Sequence, residues 1–283
     1  MPTLTNVHGL PQSIVDAVTN DPYKGGGDIS ATKLIDAPQI VALSKQYHAH
    51  LTTDVSDRIW SLLGQAVHTV LERAGLRAQG MIAEERLYAT VNGWTLSGQF
   101  DVMALDTGTL MDYKVTTVYK AKGNDAWTRQ LNILRWLAHQ NGHEVNALQI
   151  IAIFRDWRKT EAERNPDYPR AAIHAIDIPV WPLDETEAYI VERVHGHQAA
   201  QAGEVVPCTD EERWYSGDSY ALVKPGNKRA LRVLASPPAP ADIPEGYVVQ
   251  KRHGEYKRCQ HYCDVAPFCE QWEHTSHAAS EEE

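Results

Sequence analysis

The spacing of apolar residues changes character at about residue 75, and that change limits what this chain can become. Before it, Ile59, Trp60, Leu63, Ala66, Val67, Val70 and Leu71 recur on one face at helical spacing, predicting a helix over about 55–74 that Gly75 stops. After it, RLYATVN, TLSGQFDVMAL and TLMDYKV read as three short strands, separated by Asn92-Gly93 and by Asp106-Thr107-Gly108, both hairpin signals. DAWTRQLNILRWLAHQ then predicts a helix over about 125–140, ended by Asn141-Gly142. VNALQIIAIFRDW predicts a strongly apolar strand and AAIHAIDIPV another. WPLDETEAYIVERVHGHQAAQ predicts a helix with Asp and Glu in its first turn, where the macrodipole favours them. Helix, three-strand meander, helix and strand in that order fit one α/β domain.

The flanks differ from this core, which spans 29–203. Residues 1–28 are polar and Gly-rich (DPYKGGGD), predicting a loose arm. Ser30 or Thr32 can cap a short helix, and PQIVALSKQYHAH predicts another. Residues 204–272 are Pro-rich and hold all four cysteines, so an irregular appendage is expected there, followed by a disordered acidic tail at 273–283. No stretch approaches ~18 uninterrupted apolar residues, so no membrane helix is expected. The start, MPTLTNVHGLPQ, lacks a basic region followed by an apolar run, and a cytoplasmic protein is the expectation. The net charge of −10 argues against coating nucleic acid with a basic surface. It does not exclude a local basic channel beside an acidic metal site.

The hairpin GQFDVMALDTGTLMDYKV carries the chemistry. Strand side chains alternate faces, so Asp112 and Lys114 share one face while Met111, Tyr113 and Val115 share the other. The midpoint of positions 101 and 112 falls inside the turn Leu105–Gly108, which places Asp101 opposite Asp112. Opposed residues have Cβ atoms ~4.5–5.5 Å apart, and like charges there are destabilising. A divalent cation offsets the repulsion, and Asp oxygens with a backbone carbonyl and water are what Mg²⁺ or Mn²⁺ takes. Lys114 can then position a water or stabilise charge on a phosphate. The rival reading is a pair of solvated surface carboxylates neutralised by Lys114. Phe100, Val102, Met103, Leu110 and Met111 flank the pair and argue for a central hairpin.

Cys259, Cys263 and Cys269 fall within CQHYCDVAPFC, and Cys208 is the fourth cysteine. In a reducing compartment such clustering suggests a metal rather than bridges. Four thiolates hold either Zn²⁺ or an iron–sulfur cube, with His261 or His274 as substitutes in a zinc site; unligated thiols are the third option. The same region carries Lys224, Lys228, Arg229, Arg232, Lys251, Arg252, Lys257 and Arg258 among Trp214, Tyr215, Tyr220, Tyr247 and Tyr256. These are either a solvated surface or a path for single-stranded DNA, where rings stack on bases and cations meet phosphates.

Asp101 followed by Asp112-Tyr113-Lys114 after a hairpin resembles the PD-(D/E)XK nuclease superfamily, and the RecB-like exonuclease branch above all, including phage recombination nucleases and iron–sulfur CRISPR-associated ones. The resemblance implies a restriction-endonuclease-like αβββαβ core, a mixed central sheet flanked by helices, with the cysteine-bearing appendage at its C-terminal end. GQAVHTVLE resembles the family's G-x-x-x-H segment, which implies His68 as a metal ligand beside the Tyr113 carbonyl, with Gly64 leaving room for DNA or a neighbouring strand. Gln130 in WTRQLNILRWL resembles a Q-x-x-x-Y motif whose tyrosine is here Leu134; Gln130 would orient substrate or Lys114. Ser30 and Thr32 resemble a polar segment that touches the DNA backbone, whereas Lys224, Lys228 and Arg229 are DNA-binding candidates through the basic tail alone. The one-plus-three cysteine arrangement implies a [4Fe–4S] cluster, although the trio is C-x3-C-x5-C rather than C-x2-C-x5-C and Cys208 follows the catalytic motifs instead of preceding them. The implied activity is Mg²⁺- or Mn²⁺-dependent exonuclease action on linear DNA in phage or bacterial recombination or repair, with a single-strand-annealing partner. A structure-specific endonuclease and a non-catalytic nucleic-acid-binding module remain open.

Overall fold

The computed structural model describes residues 3–19, 25–73, 80–227 and 229–281. In chain order, β1 (Thr3–Thr5) and α1 (Gln12–Thr19) precede β2 (Ile29–Ser30), α2 (Ala31–Leu34) and α3 (Pro38–Gln46). β3 (Thr52–Asp54) pairs in parallel with β1 and leads into α4 (Ile59–Arg73). The meander is β4 (Met81–Val91), β5 (Trp94–Ala104) and β6 (Thr109–Thr116). Then come α5 (Asp125–Gln140), β7 (Ala147–Phe154), α6 (Lys159–Arg164), β8 (Ile173–Ile178) and α7 (Leu183–Gln201).

The central sheet is mixed, in the order β2-β5-β6-β7-β8, with β4 antiparallel to β5 along nearly its whole length. β5–β6 is antiparallel, β6–β7 parallel and β7–β8 antiparallel. Asn92 and Gly93 both sit at positive φ, +48° and +78°, the backbone that a two-residue type I′ hairpin demands. The second hairpin has the register expected from its turn, since Val102 pairs with Met111 and Met103 with Leu110. Asn124 caps α5, its side-chain oxygen accepting from Trp127 N at 3.0 Å. The stripe Trp127, Leu131, Leu134 and Leu137 is buried against Phe100, Met103, Leu110 and Ile150. Gly98 admits this packing: a Cβ there would stand 2.5 Å from Leu134 Cδ2 and 2.7 Å from Leu137 Cδ1.

Three expectations are corrected. The 1–28 segment is not loose where described: β1 joins β3, and α1 packs on α4. The region after 204 is not irregular throughout; β9 (Ser219–Val223), β10 (Arg232–Leu234) and β11 (Val248–Arg252) form an antiparallel sheet in the order β10-β9-β11, followed by α8 (Lys257–His261). Of the tail expected to be disordered, residues 282–283 lie outside the described residues, and residues 273–281 continue α9 (Glu270–Glu281). Gln271 explains its start, because its amide accepts from Cys208 N and donates to Cys208 O, each at 2.9 Å, tying α9 to the chain before β9. The appendage also docks on α3, where Val265 is buried with Leu43 and Leu51 and Phe268 stacks on Tyr47 at 4.2 Å.

The apolar stripe of α4 is the fourth departure. Ile59, Trp60, Leu63 and Val70 are exposed, not buried. α4 turns its His68 edge to the sheet instead, because that edge meets the carboxylates of β5 and β6 rather than an apolar surface. Gly75 lies outside the described residues. Among the described residues no helix is long and apolar enough to cross a membrane.

Candidate active site

Asp101 on β5 and Asp112 on β6 are both buried, at 8% and 2% exposure, and they occupy the position next in register after the Val102–Met111 pair. Asp101 Oδ2 accepts a hydrogen bond from Tyr113 N at 2.6 Å, and Asp101 Oδ1 lies 3.4 Å from His68 Nδ1. Since a strand residue's N–H and C=O face the same neighbour, the Tyr113 carbonyl also points toward β5. Asp112 Oδ2 pairs with Lys114 Nζ at 2.6 Å. Gln130 Nε2 on α5 donates to Asp112 Oδ1 at 3.4 Å, so the half-buried amide in the α5 stripe has its partner here. His68, Asp101, Asp112, Lys114 and Gln130, drawn from four elements, are thus brought together.

The carboxylates are electrostatically crowded. Burial, then repulsion from Asp112, pushes the Asp101 carboxyl up to about 7, although His68, the Tyr113 N–H and Lys114 pull the other way. The hydrogen bond with Glu84 raises the basicity of His68 against its burial, and the charges of Asp101, Glu84 and Asp112 add to it.

Glu84 on β4 is the member that the motifs missed. Its Oε1 lies 3.8 Å from His68 Nδ1, and His68, Glu84 and Asp101 each offer a donor atom within 4.8 Å of the others. The signal was present: the Asn92-Gly93 turn pairs Val91 with Trp94, and continuing that register puts residue 84 opposite residue 101. The ladder skips this pair, and Glu84 sits at φ +54°, a left-handed conformation that strains a side-chain-bearing residue by about 1–3 kcal/mol. Burial opposes the Glu84 carboxylate, but hydrogen bonds from His68 and Gln99 outweigh it and hold the group below its usual range. Gln99 Nε2 donates to Glu84 at 2.5 Å and its oxygen accepts from Arg86 Nη2 at 2.6 Å, which fixes the carboxylate from behind.

Other expected residues lie elsewhere. Ser30 caps α2, accepting from Lys33 N at 3.3 Å, and Thr32 is exposed on α2. Lys224, whose Nζ lies 5.3 Å over the Tyr247 ring, and the exposed Arg229 flank the β9–β10 loop, joined to the carboxylates by no hydrogen bond or ion pair among the described residues. Lys228 is outside the described residues.

The four cysteines line one small pocket with Leu43, Arg213, Val265, Gln271 and Trp272, and neither His261 nor His274 lines it. None is in a disulfide. Burial, then Glu212 and the other three cysteines, pushes the Cys208 thiol up to about 12, and burial raises Cys263 as well.

No family profile and no curated protein matches the sequence. Solved structures do. SSO0001 is similar at 16% identity, TM-score 0.48, over 71% of this chain and 90% of that one. A candidate exonuclease of Eubacterium rectale is similar at 14% identity, TM-score 0.33, over 64% of each chain. A phage-related exonuclease of Haemophilus somnus is similar at 12% identity, TM-score 0.29, over 68% of this chain and 80% of that one.

Proposed function

We propose that this chain is a divalent-cation-dependent deoxyribonuclease that degrades linear DNA from a free end. The observation that carries the reading is the grouping of His68, Glu84 and Asp101 within 4.8 Å of one another, with Asp112 next in register opposite Asp101 and paired with the ammonium of Lys114. The donor set fits Mg²⁺ or Mn²⁺: carboxylate oxygens, one imidazole nitrogen and a strand carbonyl at Tyr113. Burial and repulsion from Asp112, which together lift the Asp101 carboxyl to about 7, are what a cation relieves. Bound there, the cation would lower the pKa of a water and neutralise charge on a phosphodiester. Lys114, paired with Asp112, would bring its ammonium to the phosphate as negative charge builds on it. Gln130 pins Asp112 from α5, and Gln99 with Arg86 pins Glu84 from β5 and β4. A recombination or repair setting with a single-strand-annealing partner follows from the family resemblance, as do backbone contacts from Ser30 and Thr32; contacts from Lys224, Lys228 and Arg229 follow from the basic, aromatic-bearing tail.

The test is degradation of linear DNA with Mg²⁺ or Mn²⁺ by wild type, Asp112→Ala and Lys114→Ala. Loss of at least about a hundredfold in rate is expected for each. Wild-type rates in both variants overturn the assignment, scission of closed circular DNA overturns the exonuclease mode, and DNA binding indifferent to EDTA without hydrolysis makes the chain a binding module.

For the appendage the proposal is a structural [4Fe–4S] cluster on Cys208, Cys259, Cys263 and Cys269, rather than Zn²⁺. The reading rests on the one-plus-three cysteine pattern, with all four thiols lining one pocket.

A further inference from the structure

The apolar stripe that α4 turns outward includes one large ring with a cation on its face. Trp60 is 55% exposed, and the Arg155 guanidinium lies 3.8 Å from the centroid of its ring. Arg155 follows β7 and donates its backbone N–H to Thr116 O at 2.9 Å, so it stands at the end of β6, two residues beyond Lys114. Thr116 shares the face of β6 that carries Asp112 and Lys114.

Trp60, Gly64 and His68 are spaced by four residues and form one ridge of α4. Along the helix axis the ridge rises about 12 Å between Trp60 and His68, which borders the carboxylate cluster. A Cβ on Gly64 would meet nothing within 4 Å, so the middle of that ridge is a bare, open floor. A flat ring at one end, an open floor, and an imidazole with three carboxylates at the other end make a track a few nucleotides long.

We propose that Trp60, held flat by Arg155, is a stacking platform for one unpaired base of the DNA strand that passes over Gly64 to the carboxylates. The proposal rests on the deoxyribonuclease reading and adds the substrate form, a single-stranded end. Exposed aromatic rings hold single strands because every base has a π-face, and a guanidinium beside the ring meets the phosphate. The Arg155 guanidinium beside the ring is a phosphate partner, which favours a nucleic acid over a second protein surface here. A nucleic acid brings its own anion.

The experiment is fluorescence anisotropy of a labelled oligothymidylate in EDTA, where nothing is hydrolysed. Trp60→Ala is expected to weaken binding about 5- to 150-fold, the usual worth of one stacked base. Trp60→Phe is expected to retain most of the affinity, and Arg155→Met to lose part of it. Because Trp60 is more than half exposed, its truncation leaves the core untouched. Wild-type affinity in Trp60→Ala overturns the platform, as does equal weakness in Trp60→Ala and Trp60→Phe. A change of oligomeric state in Trp60→Ala with unchanged DNA affinity assigns the face to a second copy of the chain and overturns it too. If Trp60→Ala binds like a wild type that does hydrolyse DNA, only the platform falls. If the wild type neither binds the oligonucleotide nor hydrolyses DNA, the deoxyribonuclease reading falls with it.

Discussion

Replacing Asp101 with Asn should make the cation-free protein more stable and the cation-loaded protein no better. Asp101 is buried beside Asp112, and burial and that second charge lift its carboxyl from 3.8 to about 7. The folded state therefore holds the proton more tightly than the unfolded state does, and between about pH 4 and pH 7 the wild type loses stability as pH rises. Above pH 7 the full penalty is present. Three pKa units at ~1.36 kcal/mol each set a ceiling of about 4 kcal/mol. Asparagine keeps an oxygen for the Tyr113 N–H and removes the charge, so a gain of about 1–4 kcal/mol is expected at pH 8, or about 2–8 °C in Tm for 283 residues. Near pH 4.5 the gain should shrink toward zero, because the wild-type carboxyl is protonated there too. Thermal unfolding in EDTA at the two pH values reads both numbers. Adding Mg²⁺ or Mn²⁺ at pH 8 should raise the wild-type Tm with increasing concentration while leaving Asp101→Asn nearly unmoved, since binding to the native state stabilises it by mass action. A variant less stable than wild type in EDTA at pH 8 would refute the reasoning, because it would mean that burial and Asp112 do not disfavour the charged Asp101 carboxylate.

Gly98→Ala puts a Cβ against Leu134 and Leu137, both buried with nowhere to turn, and should destabilise the fold by about 1–3 kcal/mol in a denaturant titration. An unchanged midpoint would mean that α5 does not sit this close to β5. His197 is buried with Nε2 3.1 Å from Leu34 O, and burial lowers its pKa below 6.5. Its folded state resists the proton that the unfolded state accepts, so its contribution to stability is present above about pH 6.5 and is lost as pH falls toward the folded pKa. His197→Gln should flatten that branch of the stability curve, and an unaltered slope in the variant would remove His197 from the account. Protein purified without oxygen should show a broad absorption band near ~400 nm that Cys208→Ser abolishes, whereas a colourless protein holding one zinc would reject the iron–sulfur assignment.

The parts of the fold and site that could be read in advance are those fixed by local rules acting over few residues. The Asp101–Asp112 opposition follows from one turn and the two-residue period of a strand, and the Val102–Met111 pairing bears out that register. Trp127, Leu131, Leu134 and Leu137 bury as one stripe because α5 lies on an apolar sheet face. Glu84 obeys the same arithmetic from the Asn92-Gly93 turn, but no neighbouring motif drew attention to a lone glutamate in a strand. The three short strands after 204 escaped for a different reason: segments of three to five residues, some with little burial, carry too few periods to register.

The orientation of α4 shows why periodicity alone misplaced a helix whose existence it predicted well. An apolar stripe is normally the cheapest thing to turn inward, since exposing it forgoes about 25 cal/mol per Å². Here the surface beneath is not apolar. Had Trp60, Leu63 and Val70 faced the sheet, Asp101 and Glu84 would have lain under hydrocarbon without His68 as a partner, and an unpaired buried carboxylate loses more than a few exposed aliphatic groups do. The carboxylate cluster therefore dictates the roll of the helix. It puts His68 beside the charges and, on the same rigid element, leaves Trp60 free at the mouth of the site.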